Sequence, residues 1–384
     1  MVKRIAVATG TRAEFGLLQP LIDRIVEDPE TELLLIVTGM HLSPEFGMTV
    51  NDIRDAGYKI ADEIEILLSS DTGIATAKSV GLATIGFADT LRRLTPDWLV
   101  VLGDRFEILA AATAGMLVGV PIAHIHGGER TEGAIDESIR HSITKMSMLH
   151  FVSTQEYRKR VVQLGESPDR VFHVGAIGLD RVVEGKLIPQ PELAKDLGID
   201  LGLPWCTVTY HPVTTEPGSI QASVEALIGA MKSRPDLFFV VTKANADEGG
   251  RLVNRMMAEY AESAQNVKVF DSLGSSRYVS CVAHSALVLG NSSSAIIEAP
   301  YLGTPSVDIG NRQKGRARGL SVITSIASKN EILEAIARAT SMTGDDAYRT
   351  SPYYNGGAAE PILRTLKTSI PMRAKAFYDL DFSL

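Results

Sequence analysis

The sequence predicts an α/β protein made of two Rossmann-like, doubly wound domains that face a cleft. Short apolar runs rich in β-branched residues alternate along the chain with longer segments of helical periodicity. The short runs are continuously apolar, which is typical of strands buried on both faces of a parallel sheet. The pattern restarts near the middle of the 384 residues, a length that suits two domains of about 150 residues or more.

The first half of the chain supplies one predicted sheet. Strands are expected at 4–9, 32–38, 98–102, 122–126, 149–153 and 171–174. Helices are expected between them, at 14–28, 73–94, 106–118, 136–146 and 156–164. Because strand–helix–strand units form right-handed crossovers, this order predicts a parallel sheet with helices on both faces.

A looser segment containing Pro189 and Pro191 precedes a second series of the same kind. Strands are expected at 207–210, 238–242, 267–270, 286–289 and 306–309, and helices at 221–232, 250–261 and 358–368. The predicted organisation is an N-terminal domain at 1–182, a linker at 183–204, a second domain at 205–357, and a C-terminal helix and tail at 358–384.

The composition excludes several classes of function. Lys and Arg total 38 and Asp and Glu total 46, a net charge of −8, whereas binding to nucleic acid or an anionic membrane needs a basic footprint. Two cysteines, Cys206 and Cys281, are too few for a disulfide framework or a four-cysteine metal site. The most apolar stretch, 108–123, contains Pro121 and is too short to span a bilayer. We therefore expect a cytoplasmic protein without nucleic-acid or membrane partners.

The residues that follow each predicted strand are the candidates for a site, because open α/β sheets bind ligands at the carboxyl ends of their strands. Arg12 lies in the turn after the first strand, near a helix start whose free N–H groups suit a phosphate. Asp104 follows the third strand, and Glu129 follows the fourth after two glycines that let a ligand approach the backbone. The alternatives are a surface arginine in an ordinary turn and, for Asp104, a helix N-cap.

Two pairs of polar residues in this half admit two interpretations each. Asp136 and Arg140 share a helix face and form either a surface ion pair of little energetic value or a pair in which Arg140 orients a catalytic carboxylate. His124 and His126 share a strand face, but no third ligand stands at a spacing typical of a metal site. We therefore expect histidines that satisfy core or supporting hydrogen bonds, and no metal.

Candidate anion-binding groups follow the strands of the second half. His211 ends one strand, and Ser292 and Ser293 precede a helix whose start can cradle a phosphate. Glu298, one turn into that helix, can accept hydrogen bonds from a ribose diol, and Arg312 lies in a basic, glycine-punctuated loop. The alternatives are a core histidine, a plain serine N-cap and a solvated loop. Together the two halves predict a nucleotide-diphosphate ligand with carboxylate acid/base chemistry beside it.

Seven motifs carry a resemblance to a known family, and they lie at 9–16 (TGTRAEFG), 37–41 (VTGMH), 102–107 (LGDRFE), 124–129 (HIHGGE), 136–145 (DESIRHSITK), 290–294 (GNSSS) and 310–315 (GNRQKG). In these motifs the chain resembles the hydrolysing UDP-N-acetylglucosamine 2-epimerases, the bacterial enzymes that start sialic acid synthesis. The resemblance covers nearly the whole chain.

The resemblance implies a GT-B-like fold whose C-terminal helix crosses back to the first domain, a homodimer or homotetramer, and no metal or redox cofactor. It implies loss of the C2 proton and expulsion of UDP from C1 to give 2-acetamidoglucal, which water converts to N-acetylmannosamine. The implied catalytic residues are Asp104, Glu129, Asp136, His211 and Arg140. The implied substrate- and nucleotide-binding residues are Arg12, Arg105, Ser292, Ser293, Glu298 and Arg312; His211 also matches this group.

The fourth strand favours the hydrolysing branch. Non-hydrolysing relatives resemble His-Val-Glu-Ala-Gly-Leu-Arg there, whereas this chain has His126 in place of that Glu and Glu129 three residues further on. The same branch includes enzymes that act on UDP- or GDP-linked 2,4-diacetamido-2,4,6-trideoxyglucose on the route to legionaminic acid, which is the first alternative substrate. More remote alternatives are a GT-B glycosyltransferase and a non-catalytic nucleotide-sugar sensor.

Overall fold

The computed structural model describes residues 2–70, 72–131, 135–212, 220–244, 249–372 and 374–381. Contacts divide the chain into two compact units. The first unit comprises Met1–Arg130, Ala134–Val183 and Tyr353–Leu384, and most of the second is Glu184–Pro352. No helix within the described ranges is both long enough and apolar enough to cross a bilayer.

The first unit is built on a parallel sheet with helices on both faces. Its strands are β1 (Lys3–Thr9), β2 (Thr31–Thr38), β3 (Ile60–Ile64), β4 (Trp98–Leu102), β5 (Ile122–Ile125), β6 (Leu149–Val152) and β7 (Val171–His173). Its helices up to the second unit are α1 (Arg12–Glu27), α2 (Val50–Asp55), α3 (Gly73–Leu94), α4 (Phe106–Val118), α5 (Ile135–Met146), α6 (Gln155–Gln163) and α7 (Gly178–Glu184). The strand order in the described chain is β3-β2-β1-β4-β5-β6-β7, so the order reverses between β1 and β4.

The second unit repeats this architecture. Its strands are β8 (Trp205–Thr209), β9 (Phe238–Thr242), β10 (Val267–Phe270), β11 (Ser285–Gly290), β12 (Ser306–Ile309) and β13 (Val322–Ser325). Its helices are α8 (Gln190–Leu197), α9 (Ile220–Lys232), α10 (Gly250–Ser263), α11 (Gly274–His284), α12 (Ser294–Leu302) and α13 (Lys329–Met342). The described strands pair in the order β10-β9-β8-β11-β12-β13, all parallel, with the reversal between β8 and β11.

The buried apolar strands explain why both sheets form. Every residue of β4 and of β8 is buried, and apolar side chains from both faces of the first sheet enter two separate core clusters. Burial of apolar surface at about 25 cal/mol per Å² makes such central strands the main source of stability. The first sheet therefore fixes where its strands end, which is where the candidate residues lie.

The chain returns to the first unit at its C-terminus. Helix α14 (Ala359–Thr368) packs against α1. The buried carboxylate of Asp180 accepts hydrogen bonds from the backbone N–H groups of Ala358 and Ala359, which are at the start of α14. The indole N–H of Trp98 donates to the Leu366 carbonyl at 3.0 Å. These contacts anchor α14 within the first unit.

The segment after α14 docks on the loop between α6 and β7. Lys375 forms an ion pair with the buried Glu166, whose other partners are Lys145 at 2.6 Å and His150 at 3.0 Å. Burial opposes ionisation of Glu166, but the hydrogen bonds from these three groups outweigh it and lower the pKa of Glu166 to about 2. The tail thus completes a buried charge cluster beneath α5.

Several predicted elements differ in detail from the observed ones. The strand predicted at 122–126 ends at Ile125, because His126 has a φ of +65°. Two strands, β3 and β13, were not predicted, and both lie at sheet edges. The segment 183–204, predicted as a linker, contains α8, which packs against α11 in the second unit.

Candidate active site

Asp104 follows the carboxyl end of β4, and a buried arginine holds its side chain. Gly103 has a φ of +74° and turns the chain there. The Arg140 guanidinium, on α5, forms an ion pair with the Asp104 carboxylate. Arg140 is 1% exposed and also donates to the carbonyl oxygen of Glu129 at 2.9 Å and to Oε2 of Glu137 at 3.2 Å. The alternative of a surface ion pair is therefore wrong for Arg140, which joins the ends of β4 and β5.

Glu129 lies in the loop after β5, and its side chain is also buried. The hydroxyl of Ser153, just after β6, donates to Oε1 of Glu129 at 2.9 Å. Nδ1 of His126 lies 3.5 Å from the same oxygen. Because β4, β5 and β6 are neighbours in the sheet, Glu129 and Asp104 both lie at the carboxyl ends of the strands.

The buried ring of His124 contacts hydrogen-bonding groups of the protein core on both of its nitrogen atoms. Its Nε2 atom is 2.8 Å from the Gly103 carbonyl oxygen, and its Nδ1 atom is 3.2 Å from Oγ1 of Thr144. Burial lowers the pKa of His124 to about 3, so the ring is neutral at pH 7. Among the described residues there is no group of three His, Cys, Asp or Glu side chains that could hold a metal ion.

Two further acids are buried near the ends of β1 and β4, and the sequence analysis did not single them out. Glu107, in the first turn of α4, accepts hydrogen bonds from Nε of Arg105 at 3.2 Å and from Nη2 at 3.0 Å. Gly39 has a φ of +61°, and a Cβ there would lie 3.0 Å from Oε1 of Glu107. Glu14, on α1, accepts the N–H of Gly10 at 2.6 Å. Both acids therefore lie beside the strand ends that carry the candidate site.

Different signals were available for these two acids. Glu14 lies three residues after Thr11, whose hydroxyl caps α1 by accepting the Glu14 N–H at 3.2 Å; this is the spacing of a capping box and can be recognised in a sequence. A Glu in the first turn of a helix ordinarily complements the helix dipole at the surface, so nothing indicates that Glu107 is buried. Of the predicted residues, Arg12 is exposed at the start of α1, and Asp136 is half-buried in the first turn of α5.

In the second unit, Asn291 joins the ends of β8 and β11. Its side-chain oxygen accepts the N–H of His211 at 2.7 Å, and its side-chain nitrogen donates to the His211 carbonyl at 2.8 Å. Gly290 has a φ of +137°, and a Cβ there would lie 2.0 Å from the Thr209 carbonyl oxygen, so the close approach of the strands requires glycine. Burial, with a smaller effect of the Arg312 charge, lowers the pKa of His211 to about 4. The imidazole is therefore neutral at pH 7.

The other predicted residues of this unit surround the start of α12. Ser292 and Ser293 are partly exposed just before the helix, and Arg312, after β12, donates to the Asn291 carbonyl at 3.1 Å. Burial raises the pKa of Glu298, and its Oε2 atom is buried without a hydrogen-bond partner in the part of the chain that the structure describes. Hydroxyls, a carboxyl group and a guanidinium thus collect at the ends of neighbouring strands, an arrangement suited to a phosphorylated ligand.

A comparison with protein families decides the affiliation of the chain. The model of the family described as UDP-N-acetylglucosamine 2-epimerase matches residues 23–367. This chain belongs to that family. The match runs through both units, including the strand ends that carry Asp104 and Glu129 in the first and His211 in the second.

Relatives of this family member indicate the type of reaction. The GDP/UDP-N,N'-diacetylbacillosamine 2-epimerase (hydrolyzing) of Campylobacter jejuni is 41% identical over 324 residues, which is 84% of each chain. The UDP-N,N'-diacetylbacillosamine 2-epimerase (hydrolyzing) of Legionella pneumophila is 34% identical over 98% of each chain. Polysialic acid biosynthesis protein P7 of Escherichia coli is 35% identical over 98% of this chain and 97% of that protein. The resemblance to the hydrolysing 2-epimerases is therefore confirmed.

Solved structures share the fold of this family member. A UDP-N-acetylglucosamine 2-epimerase from Neisseria meningitidis, bound to UDP-GlcNAc, has a TM-score of 0.80 at 18% identity and covers 95% of this chain and 100% of that chain. A putative enzyme of the same name from Listeria monocytogenes has a TM-score of 0.80 at 21% identity, with 96% and 97% coverage. With the two doubly wound parallel sheets, these matches confirm the predicted GT-B-like α/β fold class.

Proposed function

We propose that this chain is a hydrolysing 2-epimerase of UDP- or GDP-linked N,N'-diacetylbacillosamine, which is 2,4-diacetamido-2,4,6-trideoxyglucose. The observation that carries the proposal is the 41% identity to the C. jejuni enzyme named for this substrate, supported by the full-length match to the L. pneumophila enzyme. From the sequence alone, UDP-N-acetylglucosamine is the first expected substrate and this sugar the second. UDP-N-acetylglucosamine stays as a second candidate, because the E. coli relative is named for polysialic acid biosynthesis.

The proposed reaction is an elimination followed by a hydration. A carboxylate takes the proton from C2 of the sugar, the C1–oxygen bond breaks, and the nucleoside diphosphate leaves with the bonding electrons. Water then adds its oxygen to C1 of the unsaturated sugar while a proton is delivered to the opposite face of C2. The products are the free 2-epimer and UDP or GDP, and the step needs no oxidant or reductant.

The first unit supplies the groups that this chemistry needs. We assign the proton transfers to Asp104, Glu129 and Asp136, because delivery to opposite faces of C2 requires more than one acid/base group. Each such transfer is typically worth about 10²–10⁴-fold in rate. The buried Arg140 holds the Asp104 carboxylate by their ion pair, and we assign Arg140 the role of orienting this acid.

The second unit supplies groups suited to the nucleotide. We assign Ser292, Ser293 and Arg312 to the diphosphate and Glu298 to the ribose, whose hydroxyls would satisfy its buried Oε2 atom. The neutral His211 can donate a hydrogen bond to the departing phosphate without the cost of a buried charge.

Two arginines of the first unit complete the assignment. Arg12 is exposed at the start of α1, where the positive end of the helix dipole also favours anions. Arg105 is fixed in direction by its two hydrogen bonds to Glu107. We assign both to the anionic part of the substrate.

Proton NMR in deuterated water tests the proposed function. The protein is incubated separately with UDP-N,N'-diacetylbacillosamine, its GDP analogue and UDP-N-acetylglucosamine, without any acceptor. We expect free nucleoside diphosphate and a 2-epimer that carries deuterium at C2 from one or both of the first two substrates. Turnover of UDP-N-acetylglucosamine alone would replace the proposed substrate by the second candidate.

Two further outcomes reject the proposal altogether. Binding of all three nucleotide sugars without release of nucleotide would indicate a sensor. Transfer of the sugar only after an acceptor is added would indicate a glycosyltransferase. The Asp104→Asn variant is the control for contaminating activity, because it removes a proposed acid/base group while leaving a polar side chain of the same shape.

A further inference from the structure

His126 has a backbone conformation that is unusual for its residue type. Its φ is +65°, and Met48 and Thr95 are the other non-glycine residues with positive φ in the described ranges. Such conformations persist only where the surroundings enforce them, and they concentrate at functional sites. Here the His126 N–H donates to the Phe151 carbonyl at 2.9 Å, and two positions later Gly128 packs so closely that a Cβ would lie 2.6 Å from the backbone of α6.

The ring of His126 is bound from two sides. Its Nε2 atom accepts the backbone N–H of Ile177 at 3.4 Å. A backbone N–H can only donate, so Nε2 carries no proton and the neutral ring carries its proton on Nδ1. This Nδ1 atom lies 3.5 Å from Oε1 of Glu129, and such contacts in ligand-free sites often shorten when substrate binds.

We propose that His126 is a positioning residue that holds the Glu129 carboxylate through a fixed Nδ1–H donor. Ser153 assists, because its hydroxyl donates to the same Oε1 atom. The Ile177 N–H occupies the position where a second ring proton would lie, so His126 orients Glu129 but does not take its proton. This inference rests on the proposed function, in which Glu129 transfers a proton.

The same geometry explains why a histidine suits this position. The position needs a side chain whose N–H donor is bonded to Cγ, and a residue type that tolerates positive φ. Among the side chains with N–H donors, only His and Asn meet both requirements.

Three variants separate the effect of the side-chain N–H donor from the effect of the strained backbone. His126→Asn keeps a donor near the Nδ1 position and tolerates positive φ. His126→Gly relieves the strain but has no donor, and His126→Gln places its amide nearer the Nε2 position. We measure kcat, KM, UDP affinity and the melting temperature on whichever nucleotide sugar is turned over.

We expect the Gly and Gln variants to lose at least about tenfold in kcat, as for a lost hydrogen bond to a charged group. Their UDP affinity should match wild type, the melting temperature of the Gln variant should fall because Gln does not tolerate the positive φ, and His126→Asn should keep most of the activity. A Gly variant as active as wild type, or an Asn variant no better than Gly, would overturn the proposal.

Nitrogen-15 NMR of histidine-labelled protein tests the tautomer without any turnover. The signals of His126 are assigned as those missing from the His126→Asn spectrum. We expect the Nδ1-protonated neutral form at pH 7; an Nε2-protonated or a charged ring would contradict the proposal. If the protein acts on none of the three nucleotide sugars, the proposed function is rejected instead, whatever the tautomer.

Discussion

Glu14 offers a direct test of the buried electrostatics beside the site. Glu14 lies in the first turn of α1, and only 4% of the residue is exposed to solvent. Oε2 accepts the Gly10 N–H, and Oε1 is buried without a hydrogen-bond partner among the described residues. Burial raises the pKa of Glu14 from its ordinary 4.5 to about 8; the Gly10 hydrogen bond opposes this shift and the nearby Glu107 adds to it.

The raised pKa makes the first unit less stable as pH increases. Below pH 4.5 the carboxyl is protonated in both the folded and the unfolded chain, so no stability is lost. Between 4.5 and 8 the unfolded chain releases the proton and the folded chain retains it, and the free energy of unfolding falls by up to about 1.4 kcal/mol per pH unit. The total loss is bounded at about 5 kcal/mol, and it is complete above pH 8.

The Glu14→Gln variant removes this dependence, because the amide copies the neutral carboxyl. We expect the variant to gain stability relative to wild type as pH rises from 4.5 to 8, with the difference constant above that range. The assay is urea unfolding followed by Trp98 fluorescence in a shared Trp205→Phe background, which leaves one tryptophan, in the first unit. Glu27→Gln, on the exposed end of the same helix, is the control. Parallel profiles for wild type and Glu14→Gln would refute the reasoning.

Four other substitutions test separate parts of the structure. Lys375→Met removes one of the cations bound to Glu166 and should cost about 1–3 kcal/mol, measured by urea unfolding; an unchanged midpoint would show that the tail is not docked. Gly290→Ala should destabilise the second unit by about 2–4 kcal/mol, since its Cβ would overlap the β8 backbone; a stable variant would contradict the close strand approach. Asp104→Asn should lower turnover at least about 100-fold with UDP binding retained in calorimetry, and activity near wild type would reject its assignment. Arg312→Ala should weaken UDP binding in the same assay, and an unchanged Kd would remove Arg312 from the nucleotide site.

The sequence predicted the central strands well because their signal is local. The run 98–102 was predicted with the observed bounds of β4, where every residue is buried. The missed strand β3 contains Asp62 and Glu63 and is mostly half-exposed, since an edge strand has a neighbour on one side only. Its formation depends on pairing with β2, and a run of residues taken alone does not reveal that pairing.

Candidate residues were found for a related reason. Asp104 and Glu129 could be selected because each directly follows a strand or its glycine turn, and the topology of a parallel sheet brings such positions to one edge. The partner of Asp104 could not be selected: Arg140 lies 36 positions away and its spacing suggested Asp136 instead. Only the packing of α5 against the sheet decides which carboxylate the guanidinium reaches.

The environments of the acids in the first unit follow from the same packing. Asp104 and Glu107 each contact a guanidinium, from Arg140 and Arg105 respectively, whereas the hydrogen bond of Glu14 comes from a backbone amide. Removal from water opposes ionisation of a buried carboxyl, and at Glu14 the opposing hydrogen bond from the Gly10 N–H is the smaller effect. The raised pKa of Glu14 is therefore the expected result for a buried carboxyl held chiefly by an uncharged donor. A sequence shows three similar acids, and their different environments arise only when the folded chain places an arginine beside two of them.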